Sequence, residues 1–415
     1  MDSSPSGSKG VAGRNGEPSP QSLRGLDWFT FFLGDIQTGF GPFISVYLVT
    51  QKWTQTEIGL ILSIGALASL VCQIPGGAVI DAVRSERSAA AAAVVAIGMS
   101  AFVIAVLPIF AAVALARVLH ALATALLGPA VGAITLGLVG RRALAARLGR
   151  NARFASAGNG AAAAIMGALG HFISAQAVFF ATAGLVLPAI AALYQIRENE
   201  VSPANAHGGV REGRNSGILA GLRELAGKHA LWIFLAVLML FQMANAPMLP
   251  LAASELTRRS ASWAVPLVAA CIVVPQILVA LFSPWVGRLA QSAGRRPLLL
   301  AALGVLPLRS ILFALTSNPW AIVAVQMLDG VSAAVLGVLI PLVIADISYG
   351  TGHFNLGQGV AGMAIGLAAA IGTAGAGYLA DGFGSRITFL SLAGTAAFGF
   401  LLVALLMPET RPHDS

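Results

Sequence analysis

The chain has 415 residues, of which 57% are hydrophobic and 10% are charged, with a formal net charge of +8. A soluble globular domain carries about 25% charged residues, so this composition argues against a soluble enzyme, a nucleic-acid-binding protein and a disordered protein. A membrane-spanning helix needs roughly 20 apolar residues, and the apolar residues here suffice for about twelve such helices. The composition therefore predicts an all-α integral membrane protein.

The apolar residues fall into twelve runs of helical length. Residues 1–25 form a tail rich in Ser, Gly and Pro, a composition typical of disorder and without the apolar core of a secretory signal. The predicted spans are 27–50, 56–80, 88–109, 111–138, 156–174 and 177–195, then 231–253, 263–286, 297–316, 319–345, 357–380 and 388–407. We predict an N-terminal six-helix bundle over 26–195, a cytoplasmic linker over 196–230, a C-terminal bundle over 231–408 and a short tail over 409–415.

The basic residues lie mostly in one set of connections. If the N-terminus is cytoplasmic, the two tails and the even-numbered loops hold 19 Lys and Arg, and the opposite face holds four. This asymmetry follows the positive-inside rule, and it explains the net charge without a nucleic-acid partner. The Ala-rich and Arg-rich composition indicates a bacterium, so we expect a multi-pass protein of the bacterial inner membrane with both termini in the cytoplasm.

The two halves of the sequence repeat one another. Gly77 and Asp81 at the end of span 2 correspond to Gly287 and Gln291 at the end of span 8, because their residue numbers differ by 210. Spans 4 and 10 match at an offset of 209, and spans 1 and 7 match at 205. The matched pairs are Arg117 with Gln326, His120 with Asp329, and Gln37 with Gln242. A duplicated six-helix unit predicts a polar path between two bundles near mid-membrane.

Several of these residues resemble the major facilitator superfamily. The stretch from Gly287 to Arg296 is similar to that family's loop motif, with Gln291 in place of the acid, whereas the copy at Gly77 keeps Asp81 and has Arg84 where a glycine follows. Arg117 with Gly128-Pro129 is similar to the family's arginine-bearing fourth helix, and Gly377 to Asp381 resembles the end of its eleventh. The resemblance covers about residues 25–408. It implies two pseudo-symmetric six-helix bundles and transport by alternating access.

Ionisable residues within spans are candidates for proton coupling, because burying a charge in the bilayer requires a partner, a wet cavity or a function. Asp35 lies in a Gly-rich and Pro-rich part of span 1, Arg117 lies on span 4, and Asp329 lies on span 10. We expect His120 and Asp329 to face each other across the bundle interface. The alternative for each residue is a fixed contact within its own bundle, and we expect Arg309 on span 9 to be peripheral.

Two further groups of residues are candidates for substrate contact and gating. The predicted substrate contacts are Gln37, His120, Gln242, Asn245 and Asp329. The predicted cytoplasmic gate comprises Asp81, Arg84, Arg87, Gln291, Arg295 and Arg296. In this hypothesis Asp81 meets a basic group or a helix end of the other bundle, and the alternative is that these charges only set topology. Asp346 is interpreted as an end-of-helix residue.

These features favour a secondary active transporter that exports a small organic molecule in exchange for protons. The alternatives are an uptake symporter or facilitator for a small metabolite, and a non-transporting membrane receptor or scaffold. Span 5 lacks the Gly-Pro motif of many drug/proton antiporters. The sequence has no phosphate-binding loop, metal-binding cluster or catalytic set, so we expect no enzyme activity, no cofactor and no metal. The expected partners of a monomer are the substrate, protons and the lipid bilayer.

Overall fold

The structure is entirely helical wherever it forms regular elements. It is a computed structural model that describes residues 18–38, 42–83, 85–207, 218–259 and 264–411. The helices are α1 (Pro20–Thr38), α2 (Pro42–Thr50), α3 (Gln55–Ala82), α4 (Glu86–Val106), α5 (Phe110–Phe172), α6 (Ala175–Gly184), α7 (Val186–Tyr194), α8 (Pro203–Ala206), α9 (Ile218–Ala226), α10 (His229–Asn245), α11 (Met248–Arg259), α12 (Ala264–Ser292), α13 (Arg296–Leu315), α14 (Pro319–Ile347) and α15 (Phe354–Leu406).

These helices build the twelve spans expected from the sequence. Spans 1, 6 and 7 are each made of two helices, namely α1 with α2, α6 with α7, and α10 with α11. Spans 2, 3, 8, 9 and 10 are α3, α4, α12, α13 and α14, while α5 contains spans 4 and 5 and α15 contains spans 11 and 12. Within the described ranges, nine helices are long and apolar enough to cross a membrane, and α5 and α15 are among them.

The two longest helices each turn back at a glycine. At 1.5 Å per residue, α5 with 63 residues and α15 with 53 residues would each reach more than about 75 Å if straight, against a hydrocarbon core of about 30 Å. The backbone φ is 64° at Gly140 in α5 and 82° at Gly384 in α15. Glycine adopts this left-handed conformation readily because it has no Cβ. Each of these helices can therefore supply two consecutive spans.

Two hydrophobic cores organise the spans into two bundles. The first core uses buried residues between Leu26 and Ala206, and the second uses mainly buried residues between Leu225 and Met407. Four residues of α5 near the Gly140 turn also join the second core: Leu136, Leu144, Ala145 and Leu148. The fold is therefore two six-helix bundles that contact each other around the α5 turn.

The fifth span begins earlier than the sequence analysis predicted. Residues 141–155, predicted as a loop, continue α5 as a helix. Asp27 of span 1 accounts for this, because its carboxylate lies 2.8 Å from Arg147 and 2.6 Å from Arg150. The paired charges allow a basic stretch to pack as a helix, and the Arg147 side chain is only 5% exposed.

One end of both bundles carries most of the described arginines, and we call it the basic face. It contains the start of α1, the junction between α3 and α4, the Gly140 turn, the linker that includes α8 and α9, and the junction between α12 and α13.

Candidate substrate cavity and the seams between the bundles

Three of the predicted substrate contacts lie together in one cavity. The cavity has a volume of about 260 Å³, and Gln242 and Asn245 of span 7 and Asp329 of span 10 line it. The remaining lining residues are apolar: Leu238, Phe241, Ala333, Leu336, Gly337, Ile340 and Ile365. The cavity therefore combines an apolar wall with two amides and one carboxylate.

Asp329 forms an ion pair with Arg309 of span 9, and the sequence analysis missed this contact. The Arg309 side chain is 1% exposed, whereas that of Asp329 is 25% exposed where it meets the cavity. Gln326 also donates to the other carboxylate oxygen of Asp329 at 3.5 Å. Of the two possibilities considered for Asp329, the structure shows the fixed contact within its own bundle and not the pair with His120. The expectation that Arg309 is peripheral was wrong, because Arg309 and Asp329 neutralise each other within this bundle. The sequence contained a signal for this contact, because Arg309 and Asp329 lie within two consecutive spans.

The candidates of the N-terminal bundle are placed differently. The guanidinium of Arg117 packs against span 2 at Gly65, where a Cβ atom would overlap it. His120 lies 3.4 Å from the hydroxyl of Thr124 on its own helix. The side chains of Asp35 and Gln37 lie outside the described residues, so their roles stay predictions.

A second cavity of about 270 Å³ lies between the two bundles. Spans 1, 4 and 5 contribute most of its lining, and spans 10 and 11 add Gly337, Pro341 and Gln358. Gly337 lines both cavities, so the two are neighbours. The polar residues Asn159 and Gln358 were not predicted here, because hydropathy alone does not show which side of a helix faces the partner bundle.

Two pairs of helices join the bundles toward the basic face. The first pair, which we call the 2–11 seam, brings span 2 against span 11. A Cβ atom on Gly77 would overlap the carbonyl oxygen of Asn355, and one on Gly359 would overlap that of Gln73. The two backbones therefore touch directly, and only glycine fits at these two positions.

Asp81 closes the 2–11 seam at the basic face. Its carboxylate accepts hydrogen bonds from the backbone N–H of Leu356 at 2.8 Å and from the backbone and side-chain N–H groups of Asn355 at 3.2 and 2.8 Å. These donors lie in the first turn of α15, whose N-terminal end attracts negative charge. The structure thus places Asp81 on a helix end of the other bundle, as the sequence analysis expected, and its gating role stays a prediction.

The second pair, the 5–8 seam, brings span 5 against span 8 with the same geometry. A Cβ atom on Gly287 would overlap the carbonyl oxygen of Ala145, and one on Gly149 would overlap that of Ser283. Gln291 extends this seam by donating from Nε2 to the carbonyl oxygen of Arg142 at 2.7 Å. The glycines of the two seams and the carbonyl groups that they contact are repeat mates, since each glycine and each carbonyl group differs from its counterpart by 210 in residue number.

An ion pair also connects the bundles beside the 5–8 seam. Asp346 at the end of span 10 lies 3.2 Å from Arg141 of span 5 and 3.0 Å from Arg295 of its own bundle. Arg141 also lies over the ring of Tyr349, 4.2 Å from its centroid. Asp346 is therefore more than an end-of-helix residue, because it is the acid that holds Arg141 across the interface.

The other predicted gate residues do not bridge the bundles directly. Arg87 pairs with Glu198 at 2.8 Å within the N-terminal half. Arg296 donates to the carbonyl oxygen of Ala404 at 2.5 Å within the C-terminal half. Arg295 contributes only through Asp346, and Arg84 lies outside the described residues. Among the described residues, two glycine-lined seams with Asp81, Gln291 and Arg141 at their ends join the bundles at the basic face, and the gating role of the predicted residues stays a prediction.

Comparisons with known proteins agree on one family. Residues 23–391 match the MFS_1 like family. A relative described as an uncharacterized MFS-type transporter of Mycobacterium tuberculosis (strain H37Rv) is 36% identical over 400 residues, which covers 95% of each chain. A shorter match, 30% identical over 135 residues, covers 32% of this chain and 34% of the class G tetracycline resistance protein of Vibrio anguillarum.

Solved structures share the fold at low sequence identity. The transporter FucP, solved in an outward conformation, superposes with a TM-score of 0.73 at 15% identity over 93% of this chain and 98% of its own. The human organic anion transporter MFSD10 superposes with a TM-score of 0.68 at 17% identity, over 93% of this chain and 100% of its own. The two-bundle architecture described above is therefore the architecture of these proteins.

Proposed function

Because the chain belongs to the MFS_1 like family of major facilitator transporters, we propose that it exports a small organic molecule in exchange for protons by alternating access. The proposal places it in a bacterial plasma membrane with the basic face and both termini in the cytoplasm. One observation supports proton coupling: Asp329 is an acid that lines the cavity and pairs with a buried arginine.

The seams support alternating access. The backbone contacts between bundles at Gly77, Gly149, Gly287 and Gly359 all lie in the half of the molecule toward the basic face. Farther from that face on span 11, a Cβ atom on Gly375 or Gly377 would have no atom within 4 Å. The close backbone contacts described between these two spans therefore lie toward the basic face. With the basic face in the cytoplasm, this arrangement corresponds to an outward-facing state.

The ion pair in the cavity provides a physical basis for coupling. A proton that binds Asp329 removes its charge and weakens its attraction to Arg309, since the pair lies in a medium of low dielectric constant. When the cavity faces the other side, release of the proton restores the ion pair with Arg309. Asp35 and Arg117 are the second coupling candidates, predicted from the sequence.

The lining of the cavity favours export of an organic compound over uptake of a polar metabolite. Most of its residues are aliphatic or aromatic, and Gln242 and Asn245 supply the neutral hydrogen-bonding groups. A polar metabolite such as a sugar would require more hydrogen-bonding partners, because buried polar groups without partners are unfavourable. The bound molecule would have an apolar body and a few polar groups. A receptor or scaffold would not require an acid in this cavity.

The test is a transport screen in inside-out vesicles with an imposed pH gradient. Lipophilic organic compounds, with tetracycline as the first probe, are added while a fluorescent dye reports the gradient. Export coupled to protons predicts that a transported compound dissipates the gradient. Asp329→Asn should abolish this dissipation and retain exchange of labelled compound that moves no net proton.

Two variants make the result specific. Asp381→Asn removes an exposed acid at the end of span 11 and should behave like the unmodified chain. If Asp35→Asn uncouples transport and Asp329→Asn does not, the proton site lies on span 1. Full gradient-driven transport by both variants would exclude coupling through these acids and leave the facilitator alternative.

A further inference from the structure

A groove on the outside of the basic face lies apart from the two central cavities. It has a volume of about 660 Å³ between spans 1, 5 and 8. Its walls include Trp28 of span 1, Phe154 of span 5 and Pro284 of span 8. The Trp28 and Phe154 rings meet edge to face with their centroids 6.1 Å apart. Trp28 is 48% exposed, so its indole ring forms part of the outer surface.

Three arginines line the same groove. Arg150 lies 5.8 Å from the ring of Phe154 and is held by Asp27. Arg153 and Arg288 are exposed, and the ion pairs among the described residues include neither of them. None of the described residues that line the groove is acidic, and Asp27 is already shared between Arg147 and Arg150. The groove therefore has an apolar aromatic wall and an excess of positive charge.

This combination matches the chemistry of an anionic phospholipid. Tryptophan rings are enriched where a membrane meets water, and basic pockets between spans bind anionic lipid head groups. The guanidinium group presents N–H donors in a fork that fits phosphate oxygens. We propose that the groove binds one anionic phospholipid, with its phosphodiester between Arg153 and Arg288 and its first acyl carbons against Trp28 and Phe154.

The position of the two arginines links this lipid to the state of the transporter. Arg153 belongs to the N-terminal bundle and Arg288 to the C-terminal bundle, and the 5–8 seam runs between them at Gly149 and Ser283. A head group that contacts both bundles favours the state in which the seam is closed, because a ligand shifts an equilibrium toward the state that it binds better. The lipid would therefore stabilise closure of the basic face.

Brominated lipids test this assignment directly, since bromine quenches a nearby indole. Full-length protein is placed in nanodiscs of phosphatidylcholine with increasing fractions of brominated phosphatidylglycerol. The quenching that disappears in Trp28→Phe reports occupancy of the groove. We expect this component to saturate at a low fraction of brominated phosphatidylglycerol, and an equal fraction of brominated phosphatidylcholine to produce only the weak quenching of a bulk lipid.

Charge variants identify the head-group contacts. The double variant Arg153→Gln/Arg288→Gln should need about tenfold more brominated phosphatidylglycerol for half-saturation, and each single variant should show part of this loss. The control Arg223→Gln/Lys228→Gln removes the same charge from exposed linker positions of the same face and should leave half-saturation unchanged. Retained weak quenching by brominated phosphatidylcholine shows that a variant is folded.

Three results would overturn the proposal. Equal quenching by the two brominated lipids would show no selection of the anionic head group. An unchanged double variant would show that the arginines do not bind it. Complete displacement by excess inorganic phosphate would show that the groove takes a free anion and not a lipid.

Discussion

The 2–11 seam and the 5–8 seam have the same backbone geometry and different polar ends. Gly77 lies over Asn355 as Gly287 lies over Ala145, and the four positions are repeat mates. Asp81 and Gln291 are also repeat mates, but their hydrogen bonds run in opposite directions. Asp81 accepts from backbone N–H groups of α15, whereas Gln291 donates to a backbone carbonyl group. The duplication thus retained the close packing of helices and allowed the polar contact to diverge.

The divergence moves the charge to a different place in each seam. In the 2–11 seam a carboxylate binds the N-terminal end of a helix, a charge-assisted contact whose direction suits the helix dipole. In the 5–8 seam the charge belongs to the ion pair between Arg141 and Asp346, and the Arg141 side chain is 28% exposed. A partly exposed ion pair is weakened by water and salt. We therefore expect the two seams to respond differently to mutation, salt and pH.

The largest effect should come from a side chain placed at the shared glycines. Gly77→Val would push against the Asn355 carbonyl group, and Gly287→Val would push against that of Ala145. Both variants must separate the bundles at the basic face, so we expect an impermeant thiol reagent added at that face to label a cavity cysteine at least about tenfold faster. The labelled position is Ala333→Cys in a chain whose Cys72 and Cys271 are replaced by Ser.

The control for this experiment is Gly375→Val on span 11. No atom lies within 4 Å of a Cβ at that position, so labelling should stay at its original rate. Equal acceleration by Gly77→Val and Gly287→Val would support the shared geometry. Unchanged labelling in Gly77→Val would contradict the conclusion that the 2–11 seam holds this face closed.

The next effect should separate the two polar ends. Asp81→Asn removes the charge that three N–H groups bind, and we expect a shift toward the inward-open state of about 1 kcal/mol, or roughly fivefold in population. Gln291→Ala removes one neutral hydrogen bond and should shift the population by roughly twofold. The rate of cysteine labelling measures both population shifts. Asp381→Asn is the control, because it also removes one acid. Equal effects of the two variants would refute the proposed difference between the seams.

Hydropathy, loop charge and the internal repeat were sufficient to predict the fold. They gave twelve spans and two bundles because each depends on composition over some 20 residues, which the bilayer constrains strongly. The start of span 5 was mispredicted because its Arg-rich beginning resembles a loop until Asp27, more than a hundred positions away, is known to pair with it. The burial of Arg147 depends on a tertiary contact that no local window contains.

The cavity was predictable only in part. Gln242 and Asp329 each belong to a matched pair of the repeat, and together with Asn245 they line one cavity, while their role in binding substrate stays a prediction. The repeat gave the wrong partner for Asp329, since the repeat mate of a residue occupies the equivalent place in the other bundle and need not be its neighbour. The neighbour is Arg309, whose mate at an offset of 209 is Ser100, so the N-terminal bundle has no counterpart of this ion pair.

A smaller and salt-dependent effect should follow from the ion pair beside the 5–8 seam. Arg141→Gln removes the only described partner of Asp346 from the other bundle and leaves Arg295 in place. We expect Arg141→Gln to accelerate cysteine labelling by roughly two- to fivefold at low salt. The difference in labelling rate between this variant and the unmodified chain should shrink in high salt. Arg142→Gln, whose side chain is exposed, is the control. A difference that persists in high salt would indicate a packing effect of Arg141 and not an ion pair.

The smallest effect concerns pH and should be confined to the 2–11 seam. His207 follows α8 in the linker, and the carbonyl oxygen of Ala206 beside it accepts from Asn355 at 3.3 Å. The Glu86 carboxylate, 3.1 Å from His207 Nε2, raises the pKa of this histidine, and the charge of Asp81 adds to the increase. The histidine of the unfolded chain has a pKa near about 6.5, so folding favours the protonated form.

The sign of the pH dependence follows from that shift. The stabilisation by protonated His207 is fully present below the unfolded pKa and is lost as the pH rises through the raised pKa of the folded state. The melting temperature of the purified transporter should therefore fall from pH 6 to pH 8, and His207→Gln should reduce that fall by the equivalent of under about 1 kcal/mol, since the pair is partly exposed. His229→Gln removes an exposed histidine of the same face and should leave the pH dependence intact. If His207→Gln and His229→Gln change it equally, the effect belongs to the total charge of the basic face and not to the 2–11 seam.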